Sequence, residues 1–269
     1  MSRTVVITGA SSGIGLAAAE QLAAAGDDVV LVGRTAARLD EAARRVRNAG
    51  VFRADFEDLD QVRDLAVKLL AAYPKIDVLA NNAGGMVDGY RRTSDGFEAT
   101  IQGNHLAPFL LTNLLRDRLT GGRVIGTASR AHMRGAPDPD DLTGDPARFR
   151  SFPAYGAAKS ANILFAAEAA RRWPDITSVS FHPGVVRTNF GAGRVTRFYY
   201  KYAPFLVTPE KAGALLVWLM TTDELTNGAY YVGHNARKPL THANDPAAAA
   251  RLWEASERAV LNNENPRNR

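Results

Sequence analysis

The chain has 269 residues, 46% of them hydrophobic, and 33 Lys and Arg against 28 Asp and Glu give it a formal net charge of +5. That length suits one α/β domain with a sizeable core. Cysteine is absent, which removes disulfides, thiolate nucleophiles and zinc–thiolate centres and fits a reducing cytosol. The basic residues are scattered beside acids, as in Arg38-Leu39-Asp40-Glu41, with no basic run interleaved with aromatics; a solvated surface is expected, and no nucleic-acid partner. No apolar stretch reaches membrane-spanning length and Met1-Ser2-Arg3 leads straight into an apolar run, so a cytoplasmic protein without a membrane partner is expected.

In chain order, residues 4–8 (TVVIT) are a short β-branched run, and 16–25 (LAAAEQLAAA) are helix formers. Between them lie Gly9, Ser11, Ser12, Gly13, Ile14 and Gly15. Strand, glycine turn, helix is the order in which backbone N–H groups and a helix dipole can receive a pyrophosphate. The next run, 28–32 (DVVLV), ends in Gly33-Arg34 where NAD(H) sites place a carboxylate on the ribose 2′-hydroxyl. Arg34, with Arg38, can instead clamp a 2′-phosphate, so NADP(H) is expected over NAD(H).

Strand-like runs follow at 51–54, 76–81, 123–128, 176–182 and 229–232, alternating with helical stretches. The pattern predicts an α/β chain: a single-domain Rossmann fold over 1–261, doubly wound, with a seven-stranded parallel sheet and helices on both faces. Ligands bind such sheets beyond the carboxyl ends of the strands, where the glycine turn, Arg34, Asp55, Asn82, Ser129 and Pro183 all fall. Tyr155 and Lys159 are one helical turn apart and share a face. A phenol normally titrates near pH ~10, and a neighbouring ammonium favours phenolate, making Tyr155 a usable general acid or base.

Residues 130–153 and 190–208 are expected to build the substrate side, the second as a lid bearing Phe198, Tyr199, Tyr200, Tyr202 and Phe205, as pocket lining or as packing. His105, His132 and His182 match no metal spacing, so polar packing is expected and no metal. The polar end, 262–269, is expected to be disordered.

Over residues 3–233 these motifs resemble the short-chain dehydrogenase/reductase family: TGxxxGIG at 8–15, NNAG at 81–84, Asn104 within GNHL, Ser129, YxxxK at 155–159 and the PG motif at 183–184. The phrases NHLAPFLLTNLL, ASRAH and YGAAKSANILF are most similar to the retinol dehydrogenase-like branch and its bacterial relatives. The resemblance implies that Ser129 binds the substrate oxygen and Tyr155 transfers the proton. Lys159 would tune the phenol and hold the nicotinamide ribose, and Asn104 would anchor a proton-relaying water. It also implies that Asp55 and Phe56 meet adenine, that Asn82, Ala83 and Gly84 line the adenosine-side ribose, and that Pro183, Gly184, Val186 and Thr188 serve the nicotinamide end, Thr188 holding the carboxamide.

The activity so implied is NADP(H)-dependent hydride transfer to or from a small-molecule carbonyl or alcohol, hydrophobic in character. Reduction of an activated C=C bond and a non-enzymatic dinucleotide-sensing protein are the alternatives; retention of Ser129, Tyr155 and Lys159 argues against the second. Family members are often dimers or tetramers, so a homo-oligomer is compatible with the resemblance.

Overall fold

β-Branched runs that are apolar along their whole length need cover on both faces, and the chain provides it. A computed structural model describes residues 2–186 and 206–261. Thr188, the five aromatics of the expected lid and the tail at 262–269 lie outside the described residues. The elements are β1 (Thr4–Thr8), α1 (Gly13–Ala24), β2 (Asp28–Gly33), α2 (Ala36–Arg45), β3 (Gly50–Arg53), α3 (Leu59–Ala72) and β4 (Val78–Asn81). Next comes α4 (Ala99–Ile101), which passes through a π turn (Gln102–Leu106) into α5 (Ala107–Leu114). There follow β5 (Arg123–Thr127), α6 (Ser151–Arg172), β6 (Thr177–His182), α7 (Pro209–Thr221), β7 (Tyr230–Val232), β8 (Asn235–Arg237) and α8 (Pro246–Val260).

The sheet has eight strands in the order β3-β2-β1-β4-β5-β6-β7-β8. The first seven are parallel, as expected, but β8 runs antiparallel to β7, so the expected seven-stranded, wholly parallel sheet is corrected by one strand. Asn235-Ala236-Arg237 is a three-residue, fully exposed segment with no apolar alternation to announce it. It becomes a strand because β7 would otherwise end the sheet with unpaired backbone groups, and Gly233, at φ 59°, lets the chain turn straight back.

One face of the sheet is covered by Leu65 and Leu69 of α3, Phe109 and Leu110 of α5, Phe165 of α6 and Trp253 of α8. On the other lie Leu16 and Leu22 of α1, Leu39 of α2 and Leu216 and Leu219 of α7. Helices α1 and α7 approach closely because Gly213 has no side chain: a Cβ there would sit 2.9 Å from Ala17 Cβ. β1 lies between β2 and β4, so successive connections leave the sheet in opposite directions at β1 and open a crevice at the carboxyl ends. Among the described residues no helix is long and apolar enough to cross a membrane.

His105 follows the packing expectation. It is buried between α5 and α8 with Nε2 2.9 Å from Ser256 Oγ, and burial pushes its imidazole down to about 4. The folded state therefore excludes the charged ring, and the stability this supplies is complete above the unfolded value near 6.5 and is lost as pH falls toward 4. Urea titrations between pH 7 and pH 4.5 should show falling stability, with His105 contributing up to roughly 3 kcal/mol. His105→Gln should flatten that slope; an unchanged slope would show that the ring is not held neutral.

Candidate active site

The crevice is built first from backbone. Gly9 and Gly13 have φ of 68° and 58°, the left-handed region that glycine tolerates. Ser12 caps α1 without a side-chain bond, and the first turn of α1 holds no acidic residue, so its N–H groups and positive dipole are not neutralised locally. The turn is pressed against the end of β4: a Cβ on Gly9 would lie 2.9 Å from Ala83 Cα, and one on Gly15 2.6 Å from Gly9 O and 2.8 Å from Asn82 Nδ2. Thr8 ties the two segments together. Its Oγ1 accepts from Asn82 N at 3.0 Å and Ala83 N at 2.9 Å and donates to Ala80 O at 3.1 Å, while Asn82 Nδ2 donates to Thr8 O at 3.0 Å.

Gly84, at φ 148°, marks the passage from this region to the next, because a Cβ there would collide with Asn104 Oδ1 and lie 3.4 Å from Lys159 Nζ. Asn104 sits in the π turn, a widened helical geometry frequent at functional sites. Its Nδ2 donates to Gly85 O and Thr100 O, both at 2.9 Å, and its Oδ1 accepts from Gly85 N at 3.0 Å. The side-chain amide thus clamps the loop that follows β4.

Tyr155 and Lys159 lie on α6, 8% and 2% exposed. Lys159 Nζ is 5.3 Å from the Tyr155 ring centroid and donates to Thr127 O, at the end of β5, at 3.1 Å. Asn162 Nδ2 donates to the same carbonyl at 3.1 Å. Burial pushes the Lys159 ammonium down to about 7.

Ser129 follows β5 and starts a short 3₁₀ helix (Arg130–Arg134), its Oγ accepting from Ala131 N at 3.1 Å. This cap occupies a lone pair and leaves the hydroxyl proton available to donate. Two glycines set how closely this helix meets α6: a Cβ on Gly156 would be 2.5 Å from Ala131 O, and one on Gly135 would collide with Pro153 O. Ser160 Oγ, 2.6 Å from Gly135 O and 3.0 Å from His132 O, holds the same seam.

His132 and His182 hydrogen-bond here as the packing expectation had it. His132 Nδ1 is 2.7 Å from Ser129 O, and His182 Nδ1 accepts from Arg130 N at 3.4 Å. Burial pushes the first ring down and the second down to about 4. Among the described residues no group of three His, Cys, Asp or Glu is arranged to hold a metal.

At the other end, Arg34 is exposed beyond β2, with Nη1 4.0 Å from Asp55 Oδ2 and 3.8 Å from Glu57 Oε1. Arg38 is exposed on α2, and Arg53 Nε donates to Arg34 O at 3.1 Å. Ser11 Oγ lies 3.3 Å from where a Cβ on Gly33 would be, which places the glycine turn beside this end. Phe56 packs its ring into the core, so of the expected adenine pair Asp55 is the one whose side chain stays half-exposed. Past β6, Pro183 leads to Gly184, at φ 91°, where a Cβ would meet Val207 Cγ2 at 2.7 Å; Val186 forms a parallel bridge with Val207.

The described candidates therefore gather along the carboxyl edge of the sheet. The sequence reading did not single out the Thr8 hydroxyl, the Thr127 carbonyl, Gly135, Gly156, Arg53, Glu57 or Arg91. Gly156, directly after Tyr155, was the readable signal of close packing; the others depend on partners distant in the chain.

Known proteins resemble this chain in sequence and fold. A family model described as short chain dehydrogenase matches residues 3–197. A protein of Streptomyces sp. (strain C5), provisionally named daunorubicin C-13 ketoreductase DnrU, is 52% identical over 265 residues, covering 96% of this chain and 92% of that protein. Human retinol dehydrogenase 13 is 34% identical over 281 residues, covering 96% of this chain and 84% of that one. Of solved structures, an uncharacterized protein from Mycobacterium paratuberculosis superposes with a TM-score of 0.82 at 33% identity, covering 98% and 95% of the two chains. A blue fluorescent protein from a metagenomic library, in complex with NADPH, gives 0.67 at 27%, covering 86% and 95%. With its crevice, its motif order and these matches, the chain belongs to the short-chain dehydrogenase family of oxidoreductases.

Proposed function

We propose that this protein transfers hydride between NADP(H) and a hydrophobic carbonyl or alcohol, with Tyr155 moving the proton. The observation that carries the reading is the buried face of α6, where Lys159 Nζ lies 5.3 Å from the Tyr155 ring. Relatives named as a ketoreductase and a retinol dehydrogenase support a ketone–alcohol couple, and retinol supports an apolar substrate.

The residues fit a dinucleotide. Gly9, Gly13 and Gly15 with Ser11, Ser12 and Ile14 form a tight turn into α1, with positive φ at Gly9 and Gly13 and no side-chain bond from Ser12 to the first N–H groups of the helix, an arrangement suited to a pyrophosphate. Asn82, Ala83 and Gly84 stand against that turn and would line the adenosine-side ribose, with Asp55 and the Phe56 backbone toward adenine. Pro183, Gly184, Val186 and Thr188 would serve the nicotinamide end. Bound nicotinamide supplies or accepts the hydride.

Ser129, its Oγ lone pair held by Ala131 N, donates to the substrate oxygen. Tyr155 adds its proton to that oxygen as negative charge develops, so two hydroxyl donors meet the charge. Lys159, fixed by Thr127 O, favours the phenolate and reaches toward the ribose hydroxyls. Asn104, its side-chain amide held by Gly85 and Thr100, would anchor the water that relays the proton. At the adenosine end Arg34 and Arg38 follow β2, where an NAD(H)-selective site puts a carboxylate, and this supports a 2′-phosphate there; a similar structure holds NADPH.

The test is loss of reduced-nicotinamide absorbance across a panel of ketones, aldehydes and enones. Activity on carbonyls is expected; activity on enones alone, or binding without any turnover, would replace the reading. Tyr155→Phe should lower turnover by roughly 10²–10⁴-fold with NADPH affinity nearly intact, and unchanged turnover would refute the proton role. Arg34→Ala should weaken NADPH by about tenfold and NADH little, because a charge-assisted phosphate contact is lost; equal losses would remove the 2′-phosphate contact.

Lys159 near 7 is only partly charged at neutral pH, and the phosphates of NADPH favour its charged form. Binding at pH 8 should therefore take up protons. Titration calorimetry in buffers of different ionisation heat measures the uptake, which Lys159→Met should abolish.

A further inference from the structure

Four charged side chains stand together at the adenosine end. Glu57 places Oε2 2.5 Å from Arg91 Nη2 and Oε1 3.8 Å from Arg34 Nη1, and Asp55 Oδ2 is 4.0 Å from the same Arg34 nitrogen. Two guanidiniums against two carboxylates leave this quartet without net charge, so Arg34 is not a bare cation awaiting a phosphate. Arg38 and Arg53 are the other cations nearby, and neither pairs with a carboxylate among the described residues.

The geometry is unequal in a way that matters. Coulomb attraction falls with distance and a charge-assisted hydrogen bond needs close contact, so Glu57 is bonded to Arg91 and only near Arg34. Both ends of the Glu57–Arg91 pair are held in place. Glu57 N donates to Asp55 Oδ1 at 3.1 Å, and Glu57 Cγ lies 3.7 Å from where a Cβ on Gly103 would be. Arg91 O accepts from Ala99 N at 2.9 Å, which pins the residue to the start of α4.

We propose that Arg91 is a positioning residue for cofactor choice: by holding Glu57 it keeps Arg34 available to the 2′-phosphate of NADP(H), and Glu57 is the group that limits the preference. This rests on the assignment of Arg34 to the 2′-phosphate. Without Arg91, the Glu57 carboxylate has to close only about 1 Å to bond Arg34, from the 3.8 Å separation to an ordinary contact of ~2.8 Å. A phosphomonoester carrying about −1.5 to −2 would then compete with a carboxylate for one guanidinium. Arg34, Arg91 and Glu57 side chains are 64%, 49% and 23% exposed, so the effects are moderate and weaken with salt.

The experiment is fluorescence titration of NADPH and NADH into the full-length protein at low salt, for wild type, Arg91→Gln, Glu57→Gln, the double variant and Arg34→Ala. Arg91→Gln should weaken NADPH about three- to fivefold with NADH little changed, and Glu57→Gln should tighten NADPH by a similar factor, the size expected of partly exposed ion pairs. In the Glu57→Gln background, Arg91→Gln should have no further effect. An equal loss in both backgrounds would make Arg91 a direct phosphate contact, equal loss of NADPH and NADH would make it structural, and no loss would leave it idle; each overturns the proposal. Arg34→Ala separates the two levels. If it discriminates between the cofactors while Arg91→Gln does not, only the positioning role falls; if it does not discriminate, the 2′-phosphate assignment falls and the positioning role with it.

Discussion

The bond from Lys159 Nζ to the Thr127 carbonyl is the constraint on which the crevice depends. An ammonium that is 2% exposed has lost nearly all its hydration, and one backbone oxygen at the end of β5 replaces part of it. The same bond fixes α6 against the sheet and so sets where Tyr155, one turn earlier, can stand. Asn162 shares the oxygen from the next turn, so two residues of one helical stripe are bonded to a single strand end. Ser129, two residues beyond Thr127, belongs to the same strand exit, and the Gly135 and Gly156 contacts bring its short helix against α6.

A second set of bonds joins the first strand to the fourth. Thr8 and Asn82 exchange backbone and side-chain hydrogen bonds across neighbours some seventy residues apart, beside β1–β4 pairing. The glycines at 9 and 15 are needed because this junction leaves no volume for a Cβ. Gly84 and Asn104 then connect the glycine turn to the Tyr155–Lys159 end, and the π turn brings the Asn104 amide within reach of residue 85.

The two ends of the crevice differ in physical character. Around Tyr155 and Lys159 the groups are buried, so charges act at short range with little screening. Around Arg34 the side chains are partly exposed and arranged as a balanced quartet with Asp55, Glu57 and Arg91. A buried, hydrogen-bonded end thus stands beside a more exposed, charge-balanced one.

Much of this was legible from residues alone. The strand–turn–helix opening, the spacing of Tyr155 and Lys159, the apolar runs of β1, β2 and β4 to β7 and the basic end of β2 are local features. Each is set by propensity, backbone freedom or helical periodicity within a few positions of itself. β8 was not legible, because three exposed residues form a strand only beside an edge that needs pairing. Nor were the π turn at residues 102–106, the inward turn of the Phe56 ring, or the grip of Arg91 on Glu57. These depend on which distant segments the chain brings together, and a carboxylate thirty-four positions from its guanidinium leaves no periodic trace. Sequence determined which chemical groups the crevice holds; tertiary structure decided which of them touch, because contact between remote segments is settled only when the sheet and its helices pack.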